Sequence, residues 1–102
     1  MVREVAVVTG AGSGIGHAIA LRLAQDYALI NIDVNGENLA KVEREILTSG
    51  GEVQSIVGDV SQRDTHIKAR ELASAKGTLT AWVNCAGWTR GAALHDFPND
   101  PK

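Results

Sequence analysis

A glycine-rich segment at residues 9–16 constrains the fold of this chain more than any other feature. Its sequence is T-G-A-G-S-G-I-G; it follows a short, continuously apolar run within residues 4–9, and Ile15, Ile19 and Leu23 then recur every four residues. The apolar run is typical of a strand covered on both faces, and the four-residue spacing predicts one face of a helix. Glycines at such a junction let the backbone approach a phosphate closely, and the helix N-terminus offers it unpaired N–H groups. The segment therefore predicts a phosphate-binding loop.

The spacing of these glycines narrows the kind of loop. Gly10, Gly14 and Gly16 fit the pattern T-G-x-x-x-G-x-G. The common dinucleotide fingerprint G-x-G-x-x-G does not fit, because Ile15 takes the place of its third glycine. A P-loop is excluded as well, since no Lys followed by Ser or Thr closes the segment.

Strands and helices are predicted to alternate along the rest of the chain. The predicted strands are residues 4–9, 28–33, 52–57 and 79–84. The first predicted helix contains Ile15, Ile19 and Leu23. The second contains Leu39, Val42 and Ile46, and Asn35 is its predicted N-cap. The third covers residues 62–75 and begins with a Ser61–Asp64 capping box. Such alternation favours an α/β, doubly wound, Rossmann-like parallel sheet with strand order 3-2-1-4 in a single domain.

An acidic residue ends the second predicted strand. Asp33 follows Gly10 by 23 residues, so the topology places its carboxylate beside the glycine loop. A carboxylate there accepts hydrogen bonds from ribose hydroxyls and repels a 2′-phosphate. Residues 34–36 and Ser13 carry no positive charge, which favours NAD over NADP. The alternative is that Asp33 only begins a turn or caps the next helix.

Asp59 follows the third predicted strand in the same way. Its position fits a turn or cap residue before Ser61, and it fits equally an acceptor for the amino group of an adenine.

Composition excludes several classes of protein. The 102 residues carry a formal net charge of −2, which provides no electrostatic footprint for nucleic acid. The longest apolar runs have four residues, as in Val5 to Val8, far short of a membrane span. The single Cys85 and the absence of a secretory signal favour a reducing, cytoplasmic location. The three histidines have no metal-ligand spacing.

The sequence resembles the classical short-chain dehydrogenase/reductase family. The resemblance rests on four segments in the family's order: residues 9–16, Asp33, Asp59-Val60, and Asn84-Cys85-Ala86-Gly87. It implies an NAD cofactor whose pyrophosphate faces Ser13 and Ile15. The resemblance implies that the following residues bind the cofactor: Gly10, Ser13, Gly14, Ile15, Gly16, Asp33, Asp59, Val60, Asn84, Ala86 and Gly87. Cys85 replaces the family's second asparagine, and we expect it to be a small buried residue and not a nucleophile.

One departure from the family pattern, the missing catalytic residues, changes the predicted function. The family's chemistry depends on a Tyr-x-x-x-Lys pair, but the only tyrosine is Tyr27, and Asn31 stands four residues after it. We therefore expect residues 1–102 to be the N-terminal NAD-binding part of an oxidoreductase that acts on an alcohol or ketone. On this expectation the sheet is incomplete, the catalytic part is absent and the chain alone is inactive. Family members often pair, so a full-length parent could be a homo-oligomer.

Two alternatives belong to other functional classes. A complete adenosine half without a catalytic half also fits a non-catalytic nucleotide-binding module. A methyltransferase that uses S-adenosylmethionine also combines a glycine loop with an acidic strand end, although Thr9 and the segment 84–87 argue against it.

Overall fold

Four strands and three helices alternate along the chain, as predicted. The computed structural model describes residues 3–85. Its elements are β1 (Glu4–Thr9), α1 (Gly14–Leu23), β2 (Ala28–Asp33), α2 (Gly36–Thr48), β3 (Val53–Val57), α3 (Arg63–Lys76) and β4 (Thr78–Asn84). The boundaries of the strands differ from prediction by one residue at the start of β3 and of β4. Within residues 3–85 no helix is long and apolar enough to cross a membrane.

The four strands form one parallel sheet in the predicted order β3-β2-β1-β4. Thr9 at the end of β1 pairs with Asn84 at the end of β4, and Asp33 at the end of β2 pairs with Val57 at the end of β3. All four strands therefore end along one side of the sheet, which we call the carboxyl edge. The opposite side, where the strands begin, is the amino edge.

Two apolar layers cover the two faces of the sheet. On one face, side chains of β1, β2 and β3 pack against α3: Val5, Val7, Ile30, Ile32, Ile56, Ala69 and Ala73. On the other face, β1 and β2 pack against α1 and α2: Ala6, Val8, Leu29, Ala20, Leu39, Val42 and Ile46. Successive residues of a strand point to opposite faces, so a strand covered on both sides needs an unbroken apolar run. This explains the run in β1.

The predicted face of α1 is buried unevenly. Ile19 and Leu23 pack, partly buried, against the apolar layer beneath α1 and α2, whereas Ile15 is 48% exposed. Gly16 and Ala20 are the buried residues of the helix. The physical reason is that α1 crosses very close to the loop at Gly16, so small residues face the sheet and Ile15, one position away, turns outward.

The predicted N-cap of α2 is confirmed, and the predicted capping box of α3 is wrong. Asn35 caps α2, with its side-chain oxygen accepting a hydrogen bond from the Asn38 N–H at 2.9 Å. The Ser61–Asp64 capping box is wrong, because α3 begins at Arg63 with Gln62 as its N-cap and no side-chain cap. The N–H and the hydroxyl of Ser61 both donate to Asp59 instead, at 2.8 Å each.

Asn31 provides a test of the packing in the middle of β2. Its side chain is fully buried, and neither its amide oxygen nor its NH₂ group has a hydrogen-bond partner within residues 3–85. A buried polar group without a partner costs about 1–3 kcal/mol. We expect Asn31→Val to raise the free energy of unfolding by about 1 kcal/mol in urea denaturation.

The matched control is Ile30→Val, on the opposite face of the same strand, which should lower stability by about 1 kcal/mol. A loss of stability in Asn31→Val would contradict the assignment and indicate that a buried water satisfies the amide.

Candidate functional site

The carboxyl edge brings the glycine loop and the end of β2 into direct contact. The Ala11 N–H donates to the Ile32 carbonyl at 3.2 Å. The Gly12 N–H donates to Oδ2 of Asp33 at 2.8 Å. These two hydrogen bonds fasten the loop that leaves β1 to the last residues of β2.

Asp33 is the centre of this contact. Its Oδ2 accepts from Gly12, and its Oδ1 accepts from the Asn35 N–H at 2.9 Å, so both carboxylate oxygens are held by backbone N–H groups. A carboxylate has about four acceptor positions, and these bonds use two of them. The side chain is partly exposed, so the remaining acceptor positions are accessible at the carboxyl edge. The same position of the Asp33 side chain thus forms the predicted turn and leaves acceptor positions for the predicted hydrogen bonds to a ribose.

The glycines of the loop allow the close approach of α1. A Cβ at Gly16 would collide with the carbonyl group of Gly10. Gly10 and Gly14 adopt φ values of 66° and 58°, a left-handed conformation that side chains disfavour. In the predicted T-G-x-x-x-G-x-G pattern, the third glycine, Gly16, therefore leaves room for the Gly10 carbonyl. The first and second, Gly10 and Gly14, provide the left-handed turns of the backbone.

The start of α1 is open to an anion. Ser13 is the N-cap residue, and its side chain makes no capping hydrogen bond. No acidic residue occupies the first turn. The N–H groups of the first turn and the positive end of the helix dipole thus face the carboxyl edge, and the Asp33 carboxylate beside them is bonded to the Gly12 N–H, which precedes the helix. The exposed Ile15 lies at this same end of the helix.

A second group of polar residues joins the ends of β1 and β4. The Thr9 hydroxyl lies 3.3 Å from Oδ1 of Asn84 and 3.5 Å from the Val83 carbonyl, and it accepts a hydrogen bond from the Cys85 N–H at 3.0 Å. Cys85 is 3% exposed, and burial raises the pKa of its thiol. A neutral, buried thiol is a poor nucleophile, as expected for this residue.

The remaining predicted site residues lie farther from this contact or outside the described part. Asp59 and Val60 follow the end of β3 by two and three residues. Asp59 accepts hydrogen bonds from Ser61, which is the predicted turn role, while Val60 is partly buried against the layer beneath α3. Ala86 and Gly87 lie outside residues 3–85.

Sequence reasoning missed two residues at this edge. Gly12 was assigned no specific role, yet its N–H is the donor that Asp33 holds. Trp82 was given no role at the site, yet its Nε1–H donates to Asn84 at 3.0 Å while its ring packs, partly buried, against the apolar layer beneath α3. The available signal was the two-residue spacing of Trp82 and Asn84, which places both side chains on one face of a strand.

Tyr27 lies away from the site. It follows α1, its N–H donates to the Leu23 carbonyl at 2.9 Å, and it packs against the layer beneath α1 and α2. It immediately precedes β2, whereas Asp33 ends that strand, so the two residues are roughly 20 Å apart along six residues of strand. The one tyrosine thus lies at the amino edge.

Comparison with known proteins identifies the family. The model of the short chain dehydrogenase family matches residues 4–101, nearly the whole chain. The chain belongs to the short-chain dehydrogenase family. Membership agrees with the order of the glycine loop, Asp33, residues 59–60 and residues 84–87, and it leaves the methyltransferase alternative without support.

Individual relatives extend well beyond the matched region. The chain is 36% identical over 99 residues to the cis-2,3-dihydrobiphenyl-2,3-diol dehydrogenase of Pseudomonas sp. strain KKS102, covering 95% of this chain and 35% of that protein. The chain spans about a third of the length of the curated relatives it matches.

Two solved structures show the same fold with different cofactors. A metagenomic short-chain oxidoreductase in complex with NADP is 41% identical, with a TM-score of 0.74 over 82% of this chain and 39% of that one. A short chain dehydrogenase/reductase of Burkholderia phymatum in complex with NAD is 33% identical, with a TM-score of 0.68 over 74% of this chain and 27% of that one.

The loop geometry predicts unequal effects of alanine at two of its glycines. Gly16→Ala should lower the free energy of unfolding by about 3 kcal/mol or prevent folding, because a backbone carbonyl cannot move aside for the new Cβ. Gly14→Ala should cost only about 1–2 kcal/mol, because the space around it is open and only the left-handed φ is strained. Thermal and urea denaturation of both variants measure the difference. Equal stability of the two variants would contradict the close approach of α1 to the loop.

Proposed function

We propose that this chain forms the dinucleotide-binding part of an oxidoreductase that transfers hydride between NAD(H) and an alcohol or ketone. The observation that carries the proposal is the Asp33 carboxylate, held beside the glycine loop with acceptor positions accessible. Family membership and the nicotinamide dinucleotides bound by two similar structures support it.

The phosphate end of the cofactor would lie at the start of α1. Ser13 leaves the first-turn N–H groups uncapped, and these groups would donate to the pyrophosphate oxygens. Gly10, Gly14 and Gly16 would allow the close approach of the backbone, and the exposed Ile15 would contact the apolar part of the dinucleotide.

Asp33 would bind the hydroxyls of the adenosine ribose. Its two hydrogen bonds to backbone N–H groups orient the carboxylate before any ligand arrives, so little orientational freedom is lost on binding. Asp59 and Val60 would border the adenine, and Asn84, Ala86 and Gly87 would lie beside the other half of the cofactor.

Charge at the ribose position favours NAD over NADP. A 2′-phosphate would lie against the Asp33 carboxylate, and the residues that follow it, Val34, Asn35 and Gly36, carry no positive charge to offset the repulsion. A phosphate placed there would also have to give up its hydration shell beside a like charge.

Hydride transfer would require residues beyond this dinucleotide site. The 102 residues contain no Tyr-x-x-x-Lys sequence, and Tyr27 lies at the amino edge. We therefore assign dinucleotide binding to residues 1–102, with no alcohol or ketone turnover by this chain alone.

Calorimetric titration of the chain with NAD and with NADP tests this assignment. We expect NAD to bind at least about tenfold more tightly, a difference of about 1.4 kcal/mol. Asp33→Asn removes the charge and, because its NH₂ group cannot accept, one of the two hydrogen bonds from backbone N–H groups, so it should weaken NAD binding and bring the two affinities within about threefold of each other.

The matched control is Asp26→Asn, which removes an equally negative, exposed side chain that pairs with Arg22 near the amino edge. It should leave both affinities unchanged. Equal binding of NAD and NADP by the unaltered chain would contradict the NAD preference. No binding of either dinucleotide at millimolar concentration would overturn the proposed function.

A further inference from the structure

The indole N–H of Trp82 donates a hydrogen bond to the side chain of Asn84. Nε1 of Trp82 lies 3.0 Å from Oδ1 of Asn84, two residues along the same face of β4. The Thr9 hydroxyl lies 3.3 Å from the same oxygen. The amide oxygen of Asn84 therefore accepts from the Trp82 N–H, whereas the single hydroxyl proton of Thr9 has the Val83 carbonyl, 3.5 Å away, as another acceptor.

The hydrogen-bonding chemistry of these groups fixes which end of the Asn84 amide faces Trp82. An indole N–H can donate a hydrogen bond but cannot accept one, so the oxygen and not the NH₂ group of Asn84 must face Trp82. The NH₂ group consequently points away from Trp82 and Thr9. Within residues 3–85 it donates to no other group, and Asn84 is exposed at the carboxyl edge. Two oriented donors are therefore offered at the same edge as the glycine loop.

The indole ring is itself held from two sides. The ring of His66, on α3, stacks on it with centroids 5.1 Å apart and planes 9° from parallel. Trp82 also packs against the apolar layer beneath α3, which contains Val7, its neighbour in β1. A ring fixed between a helix and the sheet has little freedom to turn its N–H away from Asn84.

We propose that Trp82 is a positioning residue that acts through Asn84. It holds the Asn84 amide with the NH₂ group directed at a ribose or carboxamide oxygen of a bound nicotinamide dinucleotide. The assignment rests on the proposed function for its ligand, whereas the orientation of Asn84 is a property of the free protein. The two parts can be tested separately.

Proton NMR of the ¹⁵N-labelled chain without ligand tests the orientation. The indole N–H signal of Trp82 is identified by its loss in Trp82→Phe. We expect this proton to exchange with solvent several times faster in Asn84→Ala, because the variant removes its acceptor. The side-chain NH₂ signals of Asn84, identified by their loss in Asn84→Ala, should shift in Trp82→Phe. Unchanged exchange and unchanged NH₂ signals would overturn the orientation.

A double-mutant cycle on NAD affinity tests the action through Asn84. Phe keeps a ring for the stack with His66 but has no N–H, so Trp82→Phe should weaken NAD binding about two- to tenfold, the value of one hydrogen bond. In an Asn84→Ala background the same change should have no further effect, because the group that Trp82 positions is gone. Equal losses in both backgrounds would show a general structural role and overturn the proposal.

Two further measurements separate the possible failures. Tyr27→Phe is the matched control, because it also removes the polar group of an aromatic side chain but lies at the amino edge, and it should leave the affinity unchanged. If the unaltered chain binds no NAD, the proposed function fails, and the NMR measurement alone then decides whether Trp82 orients Asn84. His66→Ala removes the stack on Trp82 but leaves the hydrogen bond to Asn84, so it should weaken NAD binding by less than Trp82→Phe. A larger loss would contradict the proposal that Trp82 acts through its hydrogen bond to Asn84.

Discussion

The hydrogen bond between the Gly12 N–H and the Asp33 carboxylate is the interaction on which the site depends. At 2.8 Å it joins the loop after β1 to the end of β2, two segments that are 21 residues apart in the chain. A hydrogen bond to a charged acceptor is stronger than one between neutral groups, so the bond restrains a loop whose glycines would otherwise leave it free. The Asn35 N–H donates to the second carboxylate oxygen, so a second hydrogen bond restrains the side chain against rotation away from the loop.

The parallel sheet explains why this one contact organises a whole edge. All strands end on the same side, so the uncapped start of α1, the Asp33 carboxylate and the Asn84 amide lie along one line of strand ends. These groups differ in charge and in hydrogen-bonding character: N–H donors with a positive dipole, an anionic acceptor and a neutral amide. A dinucleotide offers matching groups in its pyrophosphate, its ribose hydroxyls and its carboxamide. The opposite edge, where Tyr27 lies, has no part in this arrangement.

Much of the fold follows from local patterns in the sequence. The unbroken apolar run of β1, the amphipathic spacing of Leu39, Val42 and Ile46, and the Asn35 cap each depend on neighbouring residues alone, and each prediction was confirmed. The exposure of Ile15 could not be predicted from periodicity, because it depends on how closely α1 approaches the Gly10 carbonyl, which is a tertiary distance. The Ser61 cap failed because Asp59 competes successfully for the same hydroxyl. Propensity could not decide between these two local hydrogen bonds.

The site shows the same division between local and tertiary information. The position of Asp33 at a strand end could be predicted, but its bond to Gly12 requires the register of β1 on β2. The role of Trp82 requires both the alternation of β4 and the placement of His66 on α3. NMR titration of the labelled chain with NAD directly tests whether the dinucleotide binds at the carboxyl edge. We expect the backbone amide signals of Gly12, Gly14 and Asn35 to move together with one dissociation constant. The signals of Tyr27 and of Gly50, which lies between α2 and the start of β3 at the amino edge, should stay in place. Shifts confined to the amino edge, or none at the glycine loop under saturating NAD, would contradict it.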